Sequence, residues 1–166
     1  MDMQLYLMQH GEAFSKDEDP DRHLTDEGAR QIERSAVAIR RLGIRFDAVL
    51  CSPGKRSRQT AEIVANLVGV PSAALEETES VKGGAEARQT VECLQRFDED
   101  ASVLITGHMP NLAKLASFLL ADRETTIVQF RNGGLCRLSC ATLAGGEAEL
   151  VFCMTPMQLT AIAGSS

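Results

Sequence analysis

LYLMQHGEAF, residues 5–14, is a short apolar run that stops at Gln9-His10-Gly11 and then turns acidic. Four apolar residues with no polar alternation are the mark of a strand covered on both faces, as in a parallel sheet. FDAVLCS (46–52) and SVLITGH (102–108) have the same form, and each also ends on a polar residue.

Between these runs the periodicity changes. Thr25 is placed to cap a helix whose apolar positions Ala29, Ile32, Ala36 and Ile39 keep three- and four-residue spacing, and Gly43 closes it as a C′ glycine. A second helix runs through Ile63, Val64 and Leu67 to about Val68, then stops at Gly69 with Pro71 beyond. Ala87, Val91, Leu94 and Phe97 mark a third helix; Pro110 followed by Leu112, Leu115, Ala116 and Leu119 marks a fourth. Strand–helix alternation predicts an α/β fold: a three-layer α/β/α sandwich with a mostly parallel central sheet and right-handed crossovers. The tail differs, because LCRLSCATL and AELVFCM flank Ala144-Gly145-Gly146, which predicts an antiparallel C-terminal hairpin.

The chain has 166 residues, 44% of them hydrophobic, which suits one core; residues 1–166 read as a single domain with Gly164-Ser165-Ser166 as a frayed end. A net charge of −6 lacks the basic footprint of a nucleic-acid binder. No Lys or Arg precedes residue 16, and Gln4, Gln9 and His10 interrupt the first apolar run, so neither a signal peptide nor a membrane span is expected and the expected location is cytoplasmic. Cysteines 51, 93, 136, 140 and 153 are odd in number, form no CxxC pair and have apolar neighbours, predicting reduced, buried thiols without a disulfide.

In open α/β sheets, working residues lie beyond the carboxyl ends of the strands, where loops lead into helix N-termini whose N–H groups favour anions. The three runs deliver Gln9 and His10; Ser52 with Lys55, Arg56 and Arg58; and Thr106, Gly107 and His108. Two of the three histidines and three cations therefore meet on one rim, which points to an anionic substrate.

LMQHGEA resembles the RHG signature of the histidine phosphatase superfamily, the phosphoglycerate mutase-like fold. RHLTDEG (22–28), SPGKRSRQTAE (52–62), GHMPNL (107–112) and MTP (154–156) resemble the corresponding blocks of its small SixA-type phosphohistidine phosphatases, in order and spacing from residue 3 to about 156. The resemblance implies that His10 is the nucleophile, forming a covalent phosphohistidine that water hydrolyses. It implies that Arg56 clamps the phosphoryl oxygens and that His108 hydrogen-bonds the transferred group. Those roles suit phosphoryl transfer, which rests on alignment and cationic donors around the equatorial oxygens. For attack His10 must be neutral, with one ring N–H held by an acceptor such as a backbone carbonyl. Gly11 is expected to let the chain turn beside the phosphate. Ser52 can donate its hydroxyl to the phosphate or cap the following helix, while Lys55 and Arg58 are expected to attract the anion from outside.

Gln9 departs from the pattern, which has arginine there. Glutamine keeps an N–H donor but loses the charge, replacing a hydrogen bond of roughly 1.5–3 kcal/mol by one of roughly 0.5–1.5. That predicts binding or rate reduced on the order of ten- to thirtyfold, or about a hundredfold or more if the arginine acts only on the transition state. The substrate expected is a protein phosphohistidine, with inorganic phosphate as product. Phosphomonoesterases of the superfamily carry a carboxylic acid for the alkoxide leaving group, and Glu76, Glu77 and Glu79 form no convincing acid motif, whereas an imidazole leaves without one. Alternatives are a catalytically weakened phosphate- or phosphohistidine-binding module and a small phosphomonoesterase.

A cysteine phosphatase built on Cys51 would need arginine where Ser57 stands. A metal centre is not expected: His10, His23 and His108 have no ligand-like spacing, and His23 is expected in a polar loop remote from the strand ends. No cofactor is expected.

Overall fold

The computed structural model describes residues 1–164; Ser165 and Ser166 of the expected frayed end lie outside the described residues. The first apolar run becomes β1 (Met3–Gln9), followed by α1 (Asp26–Arg41), β2 (Ala48–Cys51) and α2 (Lys55–Val68). Then come β3 (Leu75–Glu77), α3 (Ala87–Leu94), β4 (Ser102–Gly107), α4 (Asn111–Ala121), β5 (Leu135–Cys140), β6 (Ala148–Met154) and α5 (Pro156–Ala163). Single 3-10 turns at Ser72–Ala74 and Glu79–Val81 flank β3.

The strands form one sheet in the order β3-β2-β4-β1-β5-β6. β1 pairs parallel with β4, and β2 with both β4 and β3; β5 is antiparallel to β1 and β6 to β5, the expected hairpin. β3 and α5 were not expected from the sequence. The second strand is shorter than its apolar run, beginning at Ala48, and Phe97 lies beyond the end of α3.

Alternation along the buried strands splits the core in two. Leu5 and Leu7 of β1, Leu50 of β2 and Val103 and Ile105 of β4 face Val91 and Leu94 of α3 and Leu112, Leu115 and Leu119 of α4. Tyr6, Met8, Val49 and Leu104 face Ile32 and Ile39 of α1, Val64 of α2 and Leu159 of α5. Each fully buried Leu, Ile or Met contributes about 1.5–3 kcal/mol, so both layers are anchored by hydrophobic burial. The result is the α/β/α sandwich.

Helix ends follow local chemistry. Thr25 accepts the Gly28 N–H at 2.9 Å, and the chain leaves α1 through Gly43 at φ +71°. Gly69, at φ +87°, ends α2 in the same left-handed conformation. Thr155 and Gln158 form a capping box that starts α5 behind Pro156.

Candidate active site

Register places the two histidines abreast. Gln9 of β1 lies opposite Gly107 of β4, and the His10 N–H donates to the Gly107 carbonyl at 3.0 Å. His10 and His108 therefore leave neighbouring parallel strands together, with ring centroids 5.0 Å apart.

The protonation of His10 follows from its partners. Nδ1 is 2.7 Å from the Gly11 carbonyl, which can only accept, so Nδ1 carries the proton. Nε2 then presents its lone pair outward, and the Arg56 Nε–H donates to it at 3.2 Å. Burial pushes the His10 pKa down; the Gly11 carbonyl opposes this, and Arg56 and Arg22 reinforce it. Burial, then Arg56, His10 and Arg22, push His108 down to about 4. Both rings are neutral at pH 7.

Ser52 is fully buried at the end of β2, and its hydroxyl pairs with Nε2 of His108. It does not cap α2, whose N-cap is Gly54 with no side-chain bond. His108 Nδ1 is buried without a partner among the described residues. Arg56 enters the site from the first turn of α2, where uncapped N–H groups and the helix dipole add positive potential. Among the described residues no carboxylate bonds to His10, Arg56 or His108. Burial, then Arg22, push the Arg56 pKa down, yet a guanidinium stays charged.

Other expected residues lie further out. Gln9 is half-buried beside His10, and its side chain makes no hydrogen bond among the described residues. Arg58 binds Glu62 at 2.9 Å and lies 3.6 Å from Glu77; Lys55 is exposed. Both line an open cleft of about 730 Å³ next to Gly54, and His23 lines it as well. His23 is therefore not remote from the strand ends, because the loop after β1 folds back over α2, as the Leu24 N–H bond to Gln59 Oε1 at 2.7 Å shows. His23 binds Asp19 at 2.7 Å, and among the described residues the acidic and imidazole groups close enough to share an ion are Asp19, Asp21 and His23, a set without His10 or His108.

Gly11 has a different reason from the one expected. Its φ is not positive; a Cβ there would lie 2.8 Å from Ile32 Cγ1 and 3.1 Å from the Gly28 carbonyl. At Gly28 a Cβ would overlap the Glu12 carbonyl outright. The two glycines let the start of α1 press against the loop that carries His10.

Sequence reasoning missed three contributors. Arg22 sits in the left-handed region at φ +51°, its N–H donating to the Asp19 carbonyl and its Nε–H to the Phe14 carbonyl, both at 2.9 Å. From there its charge acts on His10, Arg56 and His108. Thr60 of α2 accepts the Gly11 N–H at 3.1 Å and donates to the Arg56 carbonyl at 2.7 Å. Asn132 donates to the His10 carbonyl at 2.7 Å, and the Gly133 N–H to the Gln9 carbonyl at 2.9 Å. The only signal for Arg22 was its place in RHLTDEG, and none marked Asn132.

The model of the histidine phosphatase superfamily (branch 1) matches residues 5–113. An uncharacterized protein of Picosynechococcus sp. is 30% identical over 141 residues, 82% of this chain and 84% of its own. The mitochondrial serine/threonine-protein phosphatase Pgam5 of Drosophila virilis is 34% identical over 82 residues, 49% of this chain and 28% of its own. Among solved structures, the protein histidine phosphatase SixA complexed with tungstate superposes with a TM-score of 0.83 at 25% identity, over 95% of this chain and 99% of that one.

Proposed function

This chain belongs to the histidine phosphatase superfamily, and we propose that it is a metal-independent phosphatase that takes the phosphoryl group from a protein phosphohistidine onto His10. One observation carries the reading. His10 offers an unprotonated Nε2 whose hydrogen-bond donor is the guanidinium of Arg56, while Nδ1 is locked by the Gly11 carbonyl.

In the proposed reaction the phosphoryl group displaces the Arg56 N–H from Nε2. The P–N bond to the substrate imidazole breaks as the new P–N bond forms, and Arg56 turns its fork onto two equatorial oxygens. His108, neutral, is paired through Nε2 with the Ser52 hydroxyl before substrate arrives; as the phosphoryl group enters, that pair opens and the imidazole turns its Nε2–H onto the third oxygen. With a proton on its own second ring nitrogen, the substrate phosphoimidazole releases a neutral imidazole, so the protein need supply no acid. Water then attacks phosphorus, orthophosphate leaves, and His10 is restored with its proton still on Nδ1.

The leaving group supports phosphohistidine over an ester. An alkoxide needs a proton, and the carboxylates expected as candidates are tied up on the surface: Glu76 with Arg96 at 2.7 Å, Glu79 with Lys82 at 3.2 Å and Glu77 near Arg58. A phosphorylated histidine protein should be turned over faster than phosphoserine or an aryl phosphate. Equal kcat/KM for all three would remove the substrate assignment.

Gln9 favours a second reading, a binding module that recognises phosphohistidine without turnover. Incubation with a radiolabelled phosphoryl donor and rapid quenching separates the two. The enzyme acquires acid-labile label that His10→Ala lacks; a binder acquires none.

A further inference from the structure

We propose that Cys136 and Cys153 form a redox-responsive dithiol that closes into a disulfide across the β5–β6 hairpin. All five cysteines are free thiols, but contrary to expectation they are not all buried: Cys153 is exposed and Cys93 partly so. Cys153 is also the direct register partner of Cys136, which is fully buried.

The two side chains face the same way. Cys136 belongs to the core layer under α3 and α4, whereas its neighbour Arg137 and the opposing Phe152 turn to the other face against Tyr6. Side chains alternate along strands, so Cys136 and Cys153 share the face opposite Arg137 and Phe152. Directly opposed residues in an antiparallel pair have Cα atoms about 4.5 or 5.5 Å apart and Cβ atoms about 4.5–5.5 Å apart. A disulfide accepts Cα separations of about 4.4–6.8 Å and Cβ separations of about 3.5–4.5 Å. Closure therefore needs only a small approach, which the edge strand β6 can make.

Reactivity is divided between the two sulfurs. The proximity of Cys136 holds the Cys153 thiol below the ordinary range, against the opposing effect of burial, while Cys136 is raised. As a thiol, Cys153 donates to the Gln129 carbonyl at 3.7 Å. Cys51 and Cys140 are instead pushed up to about 11, chiefly by burial, and are poor nucleophiles.

The oxidant is a low-molecular-weight disulfide. The Cys153 thiolate attacks one of its sulfurs, forming a mixed disulfide and releasing one thiolate. Cys136 loses its proton to solvent and attacks the Cys153 sulfur, so the Cys136–Cys153 bond forms as the mixed disulfide breaks and a second thiolate leaves. Two protein thiols lose two electrons and two protons, and the small disulfide becomes two thiols.

The full chain, equilibrated with graded ratios of oxidised to reduced glutathione, acid-quenched, alkylated and mapped by mass spectrometry, tests this. Expected is an intramolecular 136–153 cross-link that dithiothreitol reverses and Cys140→Ser leaves intact. In Cys153→Ser, Cys136 should stay reduced at every ratio; in Cys136→Ser, residue 153 should stop at the glutathione adduct. A native chain in which Cys153 carries glutathione while Cys136 remains alkylatable overturns the proposal, as does one in which neither reacts. Since Cys153 is exposed, the Cys153→Ser and native measurements decide the matter even if Cys136→Ser does not fold.

Discussion

Arg56 donates its Nε–H to Nε2 of His10 across 3.2 Å, so in the proposed reaction the guanidinium already stands on the line of phosphorus approach. The bond reports the free nitrogen and, on the proposed function, sets Arg56 in place to clamp the phosphoryl group before the substrate arrives. Arg56→Ala should therefore lower kcat about a hundredfold or more, in the range of a lost transition-state donor. Arg56→Lys should recover little of it, because an ammonium cannot reproduce a bidentate fork. Arg56 has no acidic partner among the described residues, so thermal unfolding should barely move; a variant that loses activity and stability together would point to a structural role.

Protonation gives a prediction about acid. His108 titrates near 6.5 when unfolded and is pushed down to about 4 when folded, and His10 moves in the same direction. Between those pH values the unfolded chain binds more protons, so stability is intact above pH 6.5 and is lost as pH falls toward 4. At about 1.4 kcal/mol for each pH unit, His108 alone accounts for at most on the order of 3 kcal/mol. Urea denaturation over this window should show that loss, and His108→Asn should flatten it. A slope unchanged in the variant would mean that His108 takes up its proton at the same pH in the folded and unfolded chains.

The strand ends that build the site were legible because parallel strands buried on both faces leave unbroken apolar runs, and the polar residue after each run marks the rim. β3 was not legible: it has three residues, two of them exposed glutamates, and an edge strand needs no apolar run. Its place is set by pairing with β2. His10, Arg56 and His108 stand directly at strand ends or on the next helical turn, so linear reading finds them. Arg22 reaches the site only because its loop folds back over α2, and Asn132 acts on the main chain of His10 from 122 residues away. Tertiary contacts of that kind leave no periodic trace.

Gly28 carries a prediction about stability alone. A methyl group there would overlap the Glu12 carbonyl, which is backbone and cannot rotate away. Gly28→Ala should destabilise the fold by about 1–3 kcal/mol, the usual range for overpacking. Calorimetry should register it as a lower Tm. Gly43→Ala is the comparison: nothing lies within 4 Å of its Cβ, so its loss comes from φ +71° alone. Equal Tm values for Gly28→Ala and the native chain would mean that α1 moves freely away from the His10 loop.

Gln9 and Arg22 should be coupled. The resemblance of LMQHGEA to the RHG signature implies an arginine where Gln9 stands, and the site has in addition the charge of Arg22, which lowers the pKa of both histidines. If Arg22 supplies part of the missing potential, Gln9→Arg should raise turnover on the order of ten- to thirtyfold, the difference between a charged and a neutral hydrogen bond. Arg22→Gln should lower it by a similar factor. In the double variant the gain from Gln9→Arg should exceed its gain in the native background, because the new guanidinium then replaces the one cation besides Arg56 that, among the described residues, acts on both rings. Interaction energies of contacting charges commonly reach about 0.5–3 kcal/mol, well above the error of a double-mutant cycle. Strict additivity on a phosphohistidine substrate would refute compensation and leave Arg22 as a loop-ordering residue, tied to the Phe14 and Asp19 carbonyls and indifferent to the phosphate.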